Sequence, residues 1–145
     1  MELAKEQNDL KDVKNFILDL DGTVWHWNKL IPGVKETIRR LEAKGKNVYY
    51  LTNNSILTRK EFAEKLSNMG LKTSTDEVLC SSYATAQTFA RKNIGEVYAI
   101  GEQGLIDELQ REHIKKSKDA DHVVVGVDRN FSYWKMADAA DLIRD

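Results

Sequence analysis

Five short runs of apolar residues recur along the chain: NFILDLD (15–21), NVYYLTNN (47–54), EVLCSS (77–82), EVYAIGE (96–102) and HVVVGVD (122–128). Each is close to continuously apolar rather than alternating. That pattern predicts strands buried on both faces of a parallel sheet. Between and after them apolar residues return at helical spacing, as Val34, Ile38 and Leu41, as Phe62, Leu66 and Met69, as Leu105, Ile106 and Leu109, and as Met136, Ala140 and Ile143. These positions are predicted to face the core. The first helix has a start at Pro32-Gly33 and a stop near Gly45, and the second has a capping box from Thr58 to Glu61 and a stop at Gly70.

Strands alternating with helices through short connections imply right-handed crossovers and an α/β fold built on a doubly wound, Rossmann-like parallel sheet. Such sheets bind their ligands beyond the carboxyl ends of the strands. The residues that follow each strand are therefore the ones to search for chemistry.

Composition narrows the picture without changing it. The chain has 145 residues, 41% of them hydrophobic, with 22 basic and 23 acidic residues mixed along it and a net charge of −1. No basic footprint for nucleic acid stands out, and no apolar run approaches the roughly 20 residues that a spanning helix needs. The expectation is a cytoplasmic protein with no nucleic-acid or membrane partner. Residues 1–14 read as a polar leader. The single cysteine, Cys80, sits in an apolar run and is expected to be a buried, inert thiol. His26, His113 and His122 lie at no metal-ligand spacing.

Candidate chemistry concentrates at two strand ends. In DLDGT, Asp19 and Asp21 are one residue apart, and Gly22 marks the point where the backbone leaves the strand. Two close carboxylates repel each other unless a cation lies between them or their duties differ. Two arrangements meet that condition. Both carboxylates hold a hard cation such as Mg²⁺, or one stays ionised as a nucleophile while the other carries a proton. The second strand end, LTNNS, offers the Thr52 hydroxyl, turn N–H groups and the amides of Asn53 and Asn54. Such uncharged donors suit a phosphoryl group.

DLDGTVW followed by LTNNS resembles the haloacid dehalogenase superfamily of phosphohydrolases, in the branch of p-nitrophenyl phosphatase-like and phosphoglycolate phosphatase-like enzymes. IPGVKETIRRLEAKGKNVYY, SSYATAQTFA, VYAIGEQGLIDEL and HVVVGVDRNFSYWKMADAADLIRD are similar to that branch as well. The resemblance implies a Mg²⁺-dependent phosphatase acting on a small phosphorylated metabolite through an aspartyl-phosphate. It implies that Asp19 is the nucleophile and Asp21 the acid and base, and that Asp19 and the carbonyl of Asp21 bind the metal. Thr52 and the Asn53 backbone would hold the phosphoryl oxygens, with Asn54 and Gly22 beside them. Trp25 would either flank the substrate or pack.

The resemblance also implies a lysine from a third motif and further acids from a fourth, and neither is found in the sequence. The chain thus looks like the N-terminal half of such a phosphatase. Two organisations are open. In one, residues 15–92 are the first part of the core and residues 93–145 begin an inserted α/β cap, where Arg129, Asn130 and Tyr133 fall at substrate-recognition positions. In the other, all five strand-helix units close one small domain, with Asp128 as a substitute metal ligand and Lys135 near the phosphate. A half-fold would leave a sheet edge and apolar faces exposed, so a homo-oligomer is a further expectation. The alternative to an enzyme is a non-catalytic fragment or phosphate-binding module.

Overall fold

A computed structural model of the protein describes residues 10–144, so the leader expected over 1–14 lies outside the described residues up to residue 9. In chain order the elements are β1 (Asn15–Asp19), β2 (Trp25–His26), β3 (Lys29–Leu30), α1 (Val34–Ala43), β4 (Asn47–Thr52), α2 (Arg59–Asn68), a 3₁₀ turn (Thr75–Glu77), β5 (Val78–Cys80) and α3 (Ser81–Arg91). There follow β6 (Glu96–Ile100), α4 (Gln103–Arg111), β7 (Lys115–Lys116), β8 (Val123–Val125) and α5 (Tyr133–Arg144). The fold is α/β with parallel sheets, as the alternation of patterns predicts. No described helix is long and apolar enough to cross a membrane.

The strands form two separate larger sheets, ordered β1-β4-β5 and β7-β6-β8, with β2 and β3 as a small hairpin. The arrangement in which all five units share one sheet is therefore corrected, because β6 and β8 pair with each other and not with the first sheet. In the first sheet the chain steps outward in one direction, from β1 to β4 to β5. Right-handed crossovers that all step the same way place their helices on the same face. Accordingly Ile38 of α1 and Phe62 and Leu66 of α2 join Leu20, Val48, Tyr50 and Val78 in one buried cluster.

The opposite face of that sheet is uncovered. Burial alternates along β4, with Val48, Tyr50 and Thr52 buried and Tyr49 and Leu51 exposed. Ile17 of β1 is 68% exposed and Leu79 of β5 42%. The expectation of strands buried on both faces is thus corrected for β1, β4 and β5, where only one helical layer is present. It holds for β6, whose residues Val97 to Ile100 are all buried. There Val97 and Ala99 pack with Leu105 and Leu109 of α4 and with Ala86 of α3, while Tyr98 and Ile100 pack with Ala139 of α5.

Two helices differ from the apolar stripes. In α3 the buried residues are Ser82 and Ala86, too small and too polar to make a stripe in the sequence. In α5 the expected core face Met136, Ala140 and Ile143 is exposed, and Ala139 is buried with Leu142 packed beside it. The inward row runs through Lys135, Ala139 and Leu142. It was masked because it begins with a lysine, whose Nζ lies 2.6 Å from the carboxylate of Asp128.

The two sheets meet along residues 55–59. The Gly104 N–H donates to the Ile56 carbonyl at 3.1 Å, and the Val127 N–H donates to Ser55 Oγ at 2.9 Å. Glu108, only 3% exposed, accepts the Arg59 N–H at 2.7 Å and so sits at the positive end of α2. Gly104 has no room for a side chain, since a Cβ there would lie 2.4 Å from the Ile56 carbonyl oxygen.

Candidate active site

Asp19 is the last residue of β1 and lies beside Leu51 of β4, which in turn pairs with Leu79 of β5. Strand alternation puts Asp19 on the uncovered face, at its carboxyl edge, while Leu20 turns into the core. Asp19 lines a hollow of about 350 Å³ with Thr52, Asn53, Leu79, Ser81 and Ala84. The volume suits a small ligand. Its position beyond the carboxyl ends of three parallel strands is where α/β sheets place one.

The backbone after Asp19 winds tightly. The N–H groups of Val24 and Trp25 both donate to the Leu20 carbonyl, at 2.9 and 3.0 Å. Gly22 makes the turn possible with a φ of 88°, a conformation that L side chains rarely adopt. Its N–H donates to the Trp25 carbonyl at 2.7 Å. That N–H is thereby committed to the turn that sets Gly22 beside Asp21.

The winding carries Trp25 into the core. The ring is fully buried, stacks near Phe62 with centroids 6.4 Å apart, and has Lys65 Nζ 4.3 Å from its centroid. It is a packing residue and not a wall of the hollow. Its indole Nε1–H nevertheless donates to Asp21 Oδ1 at 2.7 Å, and Asn54 Nδ2 makes a longer bond of 3.4 Å to Asp21 Oδ2. Both oxygens of Asp21 are thus oriented by side chains. The sequence offered a signal for the first of these, the four-residue spacing across a glycine turn.

Thr52 is 2% exposed and its Oγ1 accepts the Asn54 N–H at 3.1 Å, which leaves the hydroxyl proton to be donated elsewhere. Asn54 Oδ1 accepts the Ile56 N–H at 2.9 Å, so the Asn54 side chain braces the loop and reaches toward Asp21. Asn53 is exposed, and its carbonyl accepts the Ser81 hydroxyl at 2.8 Å. That contact was not legible in the sequence, where Ser81 stands out only as a strand-end position. Ser81 opens α3 and also lines a second hollow of about 300 Å³ between the sheets, together with Asn53, Ser55, Thr85, Gly126 and Val127. The two hollows share Asn53 and Ser81.

Cys80 is fully buried with its Sγ 3.1 Å from Ser82 Oγ, and burial pushes its thiol pKa up, as an inert thiol requires. Asp128 and Lys135 pair with each other at 2.6 Å, and neither lines the Asp19 hollow. Their suggested roles as a metal ligand and a phosphate contact are corrected accordingly. Arg129 is engaged by Glu102 through Nε at 2.8 Å, and the Asn130 N–H donates to Asp128. Among the described residues no three His, Cys, Asp or Glu side chains cluster closely enough to hold a metal by themselves. A wider hollow of about 460 Å³ lies at Lys92 to Glu96, Asp121 and His122, at the amino ends of β6 and β8 and so opposite to the ligand-binding end of a sheet.

Paired carboxylates thus end one parallel strand, with a hydroxyl and turn amides at the end of its neighbour, at the ligand-binding edge of an α/β fold. A family model described as haloacid dehalogenase-like hydrolase matches residues 16–115, and the chain belongs to that family. It is 34% identical to phosphoglycolate phosphatase 1A of Arabidopsis thaliana over 94% of this chain and 44% of that protein. It is 35% identical to 5'-nucleotidase YutF of Bacillus subtilis over 94% of this chain and 54% of the relative. The fold superposes on the crystal structure of 4-nitrophenylphosphatase from Thermotoga maritima with a TM-score of 0.86 and 30% identity, covering 93% of this chain and 52% of the other. The chain thus spans about half the length of the relatives it matches.

Proposed function

We propose that this chain carries the nucleophile-bearing half of a Mg²⁺-dependent phosphatase for small phosphomonoesters. The observation that supports this most is Asp19 in the strand-end hollow with Thr52 and Asn53, beside an Asp21 whose two oxygens are held by Trp25 and Asn54. Residues 15–92 serve as core and residues 93–145 as the start of a cap, whose seam with the core lies next to Asn53 and Ser81.

In this reading the phosphoryl group enters the Asp19 hollow and its organic part lies toward the hydroxyl-rich hollow between the sheets. Asp19 attacks phosphorus and the ester oxygen leaves with a proton from Asp21, giving an aspartyl-phosphate. Asp21 then takes a proton from the water that hydrolyses it. Thr52 donates its free hydroxyl proton to a phosphoryl oxygen, where such a donor stabilises developing charge. Mg²⁺ is commonly bound by one or two carboxylates, waters and substrate phosphate, and exposed oxygen donors at Asp19 and Asp21 fit that habit. When bound, it neutralises charge on the phosphoryl oxygens.

The relatives' names, phosphoglycolate phosphatase and 5'-nucleotidase among them, support a small phosphomonoester as substrate class. A test is hydrolysis of p-nitrophenyl phosphate with and without Mg²⁺, comparing the native chain with Asp19→Asn. A Mg²⁺-dependent rate that Asp19→Asn abolishes is the expected result. Background rates in all four samples, with inorganic phosphate still shifting the Thr52 and Asn53 amide resonances, favour the second reading, a phosphate-binding module. That reading is supported by Thr52 and Asn53 in the lining of the hollow, uncharged donors that can hold phosphate without turnover.

A further inference from the structure

Asp21 is exposed, yet it is tied to a residue that is not. Trp25 is fully buried and its indole Nε1–H donates to Asp21 Oδ1 at 2.7 Å. The backbone joins the same two residues through a bridge, closed by the 2.7 Å bond from the Gly22 N–H to the Trp25 carbonyl. The ring itself is fixed. Phe62 lies beside it at an interplanar angle of 15°, and Lys65 Nζ stands 4.3 Å over its centroid and 3.4 Å from the Trp27 carbonyl. A cation on the negative face of an indole adds to the hold on the ring.

The two oxygens of Asp21 are therefore not equivalent. An indole gives a hydrogen bond and cannot accept one, so Oδ1 faces a group to which it cannot pass a proton. Oδ2 receives the Asn54 amide at 3.4 Å, a bond long enough to be given up. The amide is turned that way because Asn54 Oδ1 accepts the Ile56 N–H at 2.9 Å. One oxygen is anchored toward the core, and the other is left able to gain or lose a proton.

We propose that Trp25 is a positioning residue for Asp21: its buried indole holds Oδ1, limits the carboxyl to one rotamer and assigns the moving proton to Oδ2. The catalytic part of this inference rests on the reading of Asp21 as acid and base. In the first step an Asp19 oxygen bonds to phosphorus, the ester P–O bond breaks, and the proton on Asp21 Oδ2 passes to the departing ester oxygen. In the second, water bonds to phosphorus, the bond to Asp19 breaks, and a proton of that water returns to Oδ2. Oδ1 accepts the indole N–H throughout. A carboxyl needed in the same place in both steps gains from being held there between them.

The test reads the Asp21 side chain directly. Its Hα–Hβ couplings, with the hydrogen exchange of the Trp25 indole, are measured by NMR in the native chain and the couplings again in Trp25→Phe, which keeps an aromatic ring in the core and removes the N–H. The native chain should show the couplings of a single staggered rotamer and a slowly exchanging indole. In Trp25→Phe the Asp21 couplings should average while those of Asp19 stay unchanged. Circular dichroism checks that the variant folds. If it does not, the native chain decides, because averaged Asp21 couplings or a rapidly exchanging indole there would overturn the proposal. A single Asp21 rotamer that persists in folded Trp25→Phe would overturn it too.

Kinetics with Mg²⁺ separate this inference from the phosphatase reading. Trp25→Phe should lower kcat/KM for phenyl phosphate roughly tenfold or more, and that for p-nitrophenyl phosphate much less, because the more basic phenolate needs the proton in order to leave. Equal losses on the two esters would mark a structural role and count against the proposal while the phosphatase reading stands. With no activity on either ester the phosphatase reading fails, and the couplings alone decide whether Trp25 holds Asp21.

Discussion

The two sheets are built from runs that look alike in the sequence and end in different environments. EVYAIGE becomes a strand whose Val97, Tyr98, Ala99 and Ile100 are all buried, because α4 covers one face and α5 the other. NVYYLTNN becomes a strand that alternates, with Val48 and Tyr50 buried and Tyr49 and Leu51 exposed. A run of apolar residues therefore records how many layers a strand is suited to meet, and the fold shows how many it has met. In the first sheet the difference of one layer falls on the face that holds Asp19.

The sharpest way to break this comparison is to truncate side chains on the two faces of the first sheet and its helices. Leu66, fully buried among Trp25, Phe62 and the strand residues, should cost about 2–5 kcal/mol as Leu66→Ala. Leu51→Ala, on the uncovered face, should cost less than about 1 kcal/mol, because much of its surface is already in water. Ile100→Ala in the second sheet should behave like Leu66→Ala. Urea midpoints of the three variants measure this. A Leu51→Ala cost equal to that of Leu66→Ala would show that the face is covered in solution.

The sequence was informative where a pattern depends on apolar residues alone. The five strands, the capping box at Thr58 and Glu61 and the inward rows of α1 and α2 follow from it, and the structure contains each. It misled where polar residues sit inside. The α5 row was misplaced by one position because Lys135 begins the true one, and α3 was not marked because Ser82 and Ala86 are its core. The strand-end residues were legible as a set, but their hydrogen bonding was not. That Ser81 holds the Asn53 carbonyl depends on how distant loops fold back, which no linear spacing encodes.

The seam between the sheets offers a smaller test. Glu108 is buried and its carboxylate accepts the first N–H of α2, with Arg111 at 3.4 Å as its other partner. Glu108→Ala should cost about 1–3 kcal/mol, since it leaves the Arg59 N–H without its acceptor beneath a closed surface. The effect should be local. Hydrogen exchange should quicken at Arg59 and in α4 while amides in β4 keep their protection. If exchange quickens equally in both sheets, they unfold as one unit and the comparison between them is only one of burial.

Acid should separate the two regions by the smallest margin. Beyond β6, Glu102 accepts the Arg129 guanidinium at 2.8 and 3.1 Å and the Arg129 N–H at 3.0 Å. These bonds hold its carboxyl down to about 2, from an ordinary value of 4.5. Asp128 is likewise lowered, chiefly by the bond from Lys135. A carboxyl whose folded pKa is depressed stabilises the fold fully above its unfolded pKa, and that contribution is lost as the pH falls toward the folded value. For Glu102 the window runs from about 4.5 down to about 2. Arg129 is 70% exposed, so solvent screens the pair and the effect should be modest. The measurement is the difference in urea midpoint between the native chain and Glu102→Gln, followed through that window. The difference should be present at pH 6 and shrink on acidification, while exchange in the 126–132 loop quickens before that in β4. A difference independent of pH would mean that the charge on Glu102 contributes nothing to keeping the second sheet closed.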